Sequence, residues 1–157
     1  MPTAHDFTAK TIRGEDKKLA NYKGQVLLVV NVASECGLTP QYTGLEALNK
    51  KFREKGLRVL GFPANEFGAQ EPGTNDQIAT FCTSKYDVSF DMFAKVVVKG
   101  DGIHPLFAWL TEKTGGDIKW NFGKFLIGKN GEILARFEPN VEPESPEVVQ
   151  AIEKALA

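Results

Sequence analysis

The sequence predicts an α/β fold built on a mixed β-sheet, and three observations carry that expectation. Gln25-Val-Leu-Leu-Val-Val-Asn-Val-Ala33 is almost unbroken in β-branched and aliphatic residues, the pattern of a strand buried on both faces. Strand-like and helix-like segments alternate through the middle of the chain, which implies parallel pairing. Near the C-terminus, Phe125-Leu-Ile127 and Ile133-Leu-Ala-Arg-Phe137 flank Lys129-Asn-Gly131, a hairpin signal. The 157 residues suit one domain, 1–157, that buries roughly 70% of its unfolded surface. No internal repeat, low-complexity tract or Ser-rich linker divides them.

In chain order, Phe7 to Ile12 and the Arg13-Gly14 turn read as a small N-terminal hairpin ahead of the Gln25–Ala33 strand. Within Gln41 to Lys55 the apolar residues Leu45, Leu48 and Phe52 recur at helical spacing, and Gly56 follows as a C-terminal stop. Leu57-Arg-Val-Leu-Gly-Phe-Pro63 supplies a second strand. Asn65 to Gly73 is a loop crowded with Gly, Asn, Gln and Pro, more elaborate than a connector needs. Thr74-Asn-Asp-Gln77 has the spacing of a capping box and opens a helix carrying Ile78, Phe81 and Cys82, after which Met92 to Val98 reads as a third strand. His104-Pro105 starts another helix, with Leu106, Phe107 and Leu110 on one face and Gly115-Gly116 at its end. Ser145-Pro146 caps a last amphipathic helix bearing Val148, Val149, Ile152 and Leu156. A βαβ unit joined to a hairpin and a C-terminal helix is the thioredoxin-like arrangement: a central mixed sheet flanked by helices, here with an N-terminal β-hairpin.

Composition narrows the function classes. Hydrophobic residues form 42% of the chain, charged residues 25%, and the net charge is −1, so there is no global bias toward nucleic acid or an anionic membrane. The N-terminal MPTAHDFTAK has no signal-peptide pattern and the longest apolar run, Val26 to Val30, is too short to span a bilayer, so the expected location is the cytoplasm, without integral membrane association. The only two cysteines, Cys36 and Cys82, cannot form the framework of a small disulfide-rich secreted domain. With His5 and His104 they show none of the close ligand pairs of a zinc or copper site, and no metal or other cofactor is expected.

Cys36 falls just past the carboxyl end of the first buried strand and a few residues before a helix, where open parallel sheets place their ligand sites. Unpaired N–H groups and the positive dipole end at a helix start stabilise a thiolate, the nucleophilic form of the residue. A free cysteine is more often a small buried hydrophobe, but Ser34, Glu35 and Gly37 make this a polar loop.

Three separated motifs, in order, carry a family resemblance: Asn31-Val-Ala-Ser-Glu-Cys-Gly-Leu-Thr39, Gly61-Phe-Pro-Ala-Asn-Glu-Phe-Gly-Ala-Gln-Glu-Pro-Gly73 and Lys119-Trp-Asn-Phe-Gly-Lys-Phe125. The chain resembles the glutathione peroxidase family over essentially its whole length, Phe90-Asp-Met-Phe93 and His104-Pro105 included. The resemblance implies a thiol peroxidase with Cys36 as the peroxidatic residue and Gln70, Trp120 and Asn121 completing its tetrad. These three bring N–H donors, which favour anionic sulfur and orient a peroxide; none is a base. Taken singly, Trp120 reads as well as core, Asn121 as a turn residue and Gln70 as a solvated loop residue. The family includes selenocysteine enzymes, and this chain carries sulfur at the matching position.

Cys82, in Ala79-Thr-Phe-Cys-Thr83, resembles in location the resolving cysteine of the non-selenium members, and the family's other cysteine-bearing site corresponds to Ala64. The resemblance therefore implies a Cys36–Cys82 disulfide, while packing within an apolar helix face is the competing reading of Cys82. Bridging needs Cα atoms within about 7 Å, so local unwinding near Cys82 is expected. Thioredoxin is the reductant such a disulfide implies. Glutathione stays as the alternative, because basic residues such as Lys124 and Arg136 are available to bind it. Tetrameric members carry a longer insertion where this chain has only Thr111 to Lys119, which implies a monomer with an open site for hydrogen peroxide and for organic and lipid hydroperoxides. A thioredoxin-fold disulfide reductase is disfavoured because Thr39 stands where Cys-x-x-Cys needs its second thiol, and a noncatalytic carrier needs no such donor set.

Overall fold

The computed structural model describes residues 2–157. A small antiparallel hairpin, β1 (Thr8–Lys10) and β2 (Asp16–Lys18), precedes a five-stranded sheet of β3 (Val26–Val32), β4 (Leu57–Pro63), β5 (Asp91–Met92), β6 (Lys124–Ile127) and β7 (Ile133–Phe137). The spatial order is β5-β4-β3-β6-β7, with β3, β4 and β5 parallel and β6 and β7 antiparallel to their neighbours. Four helices complete the fold: α1 (Gln41–Phe52), α2 (Asn75–Tyr86), α3 (Pro105–Lys113) and α4 (Pro146–Leu156). This is the thioredoxin-like arrangement expected from the sequence.

The central strand explains the layering. Val26, Leu28, Val30 and Val32 face a cluster with Tyr42, Leu45, Leu48 and Phe52 of α1, Ile78 and Cys82 of α2, and Val148 and Ile152 of α4. Leu27 and Val29 face the opposite cluster, with Leu60, Phe62, and Leu106, Phe107 and Leu110 of α3. Side chains alternate across a strand, so a continuous apolar run serves two cores at once, each large side chain contributing about 1.5–3 kcal/mol by leaving water. β3 thereby becomes the fixed axis from whose end the Cys36 loop departs.

Local signals act as the sequence suggests at most element ends. Thr74 and Gln77 form the capping box of α2, and His104 Nδ1 accepts from Leu106 N–H at the start of α3. Gly56 adopts φ +110° and ends the turn that follows α1, which tightens to a 3-10 turn over Arg53–Lys55. Two expectations are corrected. The strand expected over Met92 to Val98 is confined to Asp91–Met92, because beyond it the backbone donors turn to other acceptors: Ala94 N–H to Lys10 O, Lys95 N–H to Asn75 Oδ1, Val96 N–H to Pro63 O and Val98 N–H to Glu66 Oε1. Ser145 stands at the N-cap of α4, yet its hydroxyl is buried and makes no capping bond.

Candidate active site

The loop from Ala33 to Pro40 is folded on Thr39. Its hydroxyl donates to Ala33 O (2.8 Å) and accepts from Cys36 N–H (2.9 Å), while Thr39 N–H donates to Cys36 O (3.0 Å). This turns the loop back on itself and aims Leu38 N–H at Cys36 Sγ (3.3 Å). Cys36 is only 7% exposed, although Glu35 and Gly37 on either side are exposed.

The Asn65–Gly73 loop is pinned beside it. Glu35 N–H donates to Gln70 O (3.0 Å) and Ser34 N–H to Glu71 Oε1 (3.1 Å). Glu71 is 1% exposed, its Oε2 has no partner among the described residues, and burial holds its carboxyl above the ordinary range. Gly68, at φ +70°, lets the loop pass under the Trp120 ring, because a Cβ there would lie 3.0 Å from the indole. The β6 approach supplies the third segment. Asn121 is fully buried and its Nδ2 donates to Gln70 Oε1 (3.1 Å) and, at 3.4 Å, to Phe67 O. Trp120 is 37% exposed and tilts against Phe67 with ring centroids 5.9 Å apart, so it is a rim residue and not core.

The expected residues are thus brought together in part. Gln70 joins Asn121 through its side chain and the Cys36 loop through its backbone, and Trp120 adjoins through Gly68 and Phe67. Among the described residues, the hydrogen bond recorded to Cys36 Sγ comes from Leu38, not from these three side chains. Cys82 lies in α2, 2% exposed, and burial, opposed by the nearby Tyr42 hydroxyl and joined by the charge of Glu71, pushes its thiol up to about 11. Both cysteines are free and line the same core. A cleft of about 390 Å³, bounded by Ser34, Glu35, Glu71, Gln77, Ile78 and Phe81, separates the Cys36 loop from α2. No three metal-ligating side chains gather among the described residues, and none of their helices is long and apolar enough to cross a membrane.

The family model for glutathione peroxidase matches residues 4–111. The chain belongs to the glutathione peroxidase family. It is a peroxidase, an oxidoreductase acting on hydroperoxides. Glutathione peroxidase homolog BsaA of Halalkalibacterium halodurans is 51% identical over 143 residues, 88% of this chain and 91% of that protein. Thioredoxin/glutathione peroxidase BtuE of Escherichia coli is 44% identical over 172 residues, 94% of each. The crystal structure of Trgpx in apo form gives a TM-score of 0.81 at 34% identity, covering 99% of this chain and 97% of that one. A thioredoxin-family thiol:disulfide interchange protein of Chlorobium tepidum TLS, 16% identical, shares the fold with a TM-score of 0.72 over 96% of this chain and 93% of that one.

In this peroxidase the two basic residues considered for glutathione are already engaged. Lys124 is fully buried with Nζ on Phe122 O (2.7 Å) and Pro139 O (3.2 Å), and desolvation lowers it to about 8. The Arg136 guanidinium donates to Thr114 O, Gly116 O and Asp117 O, fastening the short segment after α3. Sequence reading passed over Thr39 and Glu71. A threonine three residues after a loop cysteine is a signal for the first, while the burial of Glu71 has no sequence signature.

Proposed function

We propose that residues 1–157 form a single-domain cysteine peroxidase in which Cys36 attacks the hydroperoxide, Gln70, Trp120 and Asn121 orient it, and Cys82 resolves the product. The observation that carries this reading is the bond from fully buried Asn121 to Gln70 Oε1, on the loop that also receives Glu35 N–H beside Cys36. With its carbonyl end held by Asn121, Gln70 has its N–H groups left to donate. N–H donors at this end of the sheet favour both anionic sulfur and the oxygen that gains charge as the peroxide breaks.

The Cys36 thiolate attacks the terminal peroxide oxygen and gives up two electrons. The O–O bond breaks, the departing alkoxide or hydroxide takes a proton from water, and Cys36 is left as a sulfenic acid. Cys82 then loses its proton and attacks the Cys36 sulfur. The S–O bond breaks, hydroxide leaves as water with that proton, and a disulfide joins the two residues. A dithiol reductant restores both thiols by exchange.

Thioredoxin is the reductant this cycle favours. Lys124, fully buried, and Arg136, held on three backbone carbonyls, are poorly placed to meet the carboxylates of glutathione. Glutathione is the second reading, supported by a relative whose name carries both donors. The exposed Trp120 rim suits lipid and other organic hydroperoxides as well as hydrogen peroxide, and the short Thr111–Lys119 segment suits a monomer, acting against oxidative stress in the cytoplasm.

One equivalent of hydroperoxide added to the reduced protein, followed by mass spectrometry, tests the cycle. A Cys36–Cys82 disulfide is expected, and a trapped Cys36 sulfenic acid in Cys82→Ser. Oxidation of Cys36 no faster than an unstructured thiol would overturn the reading, and turnover with thioredoxin set against glutathione decides the donor.

A further inference from the structure

Trp120 and Asn121 open a turn that an ordinary residue does not favour, since Phe122 adopts φ +70°. Asn31, on the central strand β3, meets this turn three times. Its Nδ2 donates to Trp120 O (3.1 Å), its carbonyl accepts from Phe122 N–H (2.6 Å) and its N–H donates to Gly123 O (3.3 Å). Gly123 permits that approach, because a Cβ there would lie 2.9 Å from Asn31 Oδ1. From the other side, Lys124 turns its Nζ back to Phe122 O, and its second acceptor, Pro139 O, also receives Gln41 Nε2 from the first residue of α1 (2.9 Å).

Both residues are fully buried. An ammonium without exposed surface opposes folding, and an apolar side chain of similar volume would fill the space without that desolvation. Burial lowers Lys124, with Glu142 the one carboxylate opposing it. The chemistry of Cys36 and Cys82 uses neither Asn31 nor Lys124, yet Asn31 bonds the peptide units on both sides of Asn121 and Lys124 bonds the next one, at Phe122 O. We propose that Asn31 and Lys124 are positioning residues of the peroxidase reaction, locking the left-handed Phe122 turn so that the Trp120 indole and the Asn121 amide are held beside the Cys36 loop. The proposal rests on the reading of Trp120 and Asn121 as peroxide-orienting donors.

The test uses the full chain in a Cys82→Ser background, where Cys36 reacts alone, and compares two reagents. Hydroperoxide needs the oriented donors, whereas iodoacetamide needs only an accessible thiolate. Lys124→Met and Asn31→Leu are each expected to slow peroxide oxidation of Cys36 about tenfold or more while alkylation stays within about twofold. Asn31→Leu reads the same turn if Lys124→Met proves unstable. Peroxide oxidation unchanged in the folded variants, or both reactions slowed alike, overturns the proposal. Asn121→Ala separates the layers: if it slows peroxide oxidation and the two variants do not, only the positioning role falls, and if it too has no effect, the donor reading falls with it.

Discussion

Cys36 and Cys82 are about equally buried, at 7% and 2% exposure, yet their surroundings differ, as the opposite tasks proposed for them require. Cys36 sits in a loop whose other N–H groups largely serve Gln70, Glu71 and Thr39, while that of Leu38 is aimed at its sulfur. Cys82 sits inside α2, where backbone N–H groups serve the helix, beneath Tyr42 in an aromatic cluster with Phe81 and Tyr86. Burial first, opposed by the Tyr42 hydroxyl and joined by the Glu71 charge, pushes Cys82 up to about 11. The comparison teaches that a backbone donor aimed at the sulfur, not exposure, is what distinguishes the two sites. For the proposed disulfide to form, the end of α2 is the gate that must open. Cys82 O accepts Asp87 and Val88 N–H at the end of α2, and Asp87 holds φ +51°, so the last helical turn is strained and begins at Cys82 itself.

The largest expected effect breaks the comparison outright. Cys36→Ser abolishes peroxide turnover, whereas Cys82→Ser consumes one equivalent and stops in thioredoxin-coupled turnover, as stopped-flow amplitudes would show. Next, Asn121→Ala or Gln70→Ala slows Cys36 oxidation by about 10²-fold, the loss typical of one preorganised donor, with Cys82 alkylation unaffected. The pH dependence sharpens the Cys82 side. Its folded value lies above the ordinary 9.0, so the stability it contributes is present below pH 9 and lost as pH rises through about 11. Unfolding free energies measured across that window should fall by about 3 kcal/mol more in the parent chain than in Cys82→Ala. Smallest is the gate: Asp87→Gly relaxes the left-handed end of α2, stabilises it by about 0.5–1 kcal/mol and slows disulfide formation about two- to fivefold, without changing Cys36 oxidation.

Much of this was legible in the sequence where local chemistry decides. The run Val26–Val32, the Thr74–Gln77 box and His104-Pro105 state their roles within a few residues. The rest depends on distant partners. Met92 to Val98 has strand composition, but its acceptors are Lys10, Asn75, Pro63 and Glu66, which no local pattern reveals. Cys36, Gln70 and Asn121 stood out as motif residues, yet that Asn121 grips Gln70 appears only in three dimensions. Lysine is almost never fully buried, so Lys124 read only as a base available to glutathione, and Asn31 stood only as a member of the central-strand run and of the first motif.

The most direct test of the contrast between the two thiols is the second-order rate of peroxide oxidation in single-cysteine proteins, Cys82→Ser and Cys36→Ser. Cys36 alone should react about 10²-fold or more faster than an unstructured thiol, and Cys82 alone more slowly than that thiol. A Cys82 that reacts as fast as Cys36, or a Cys36 no faster than the free thiol, would contradict the account.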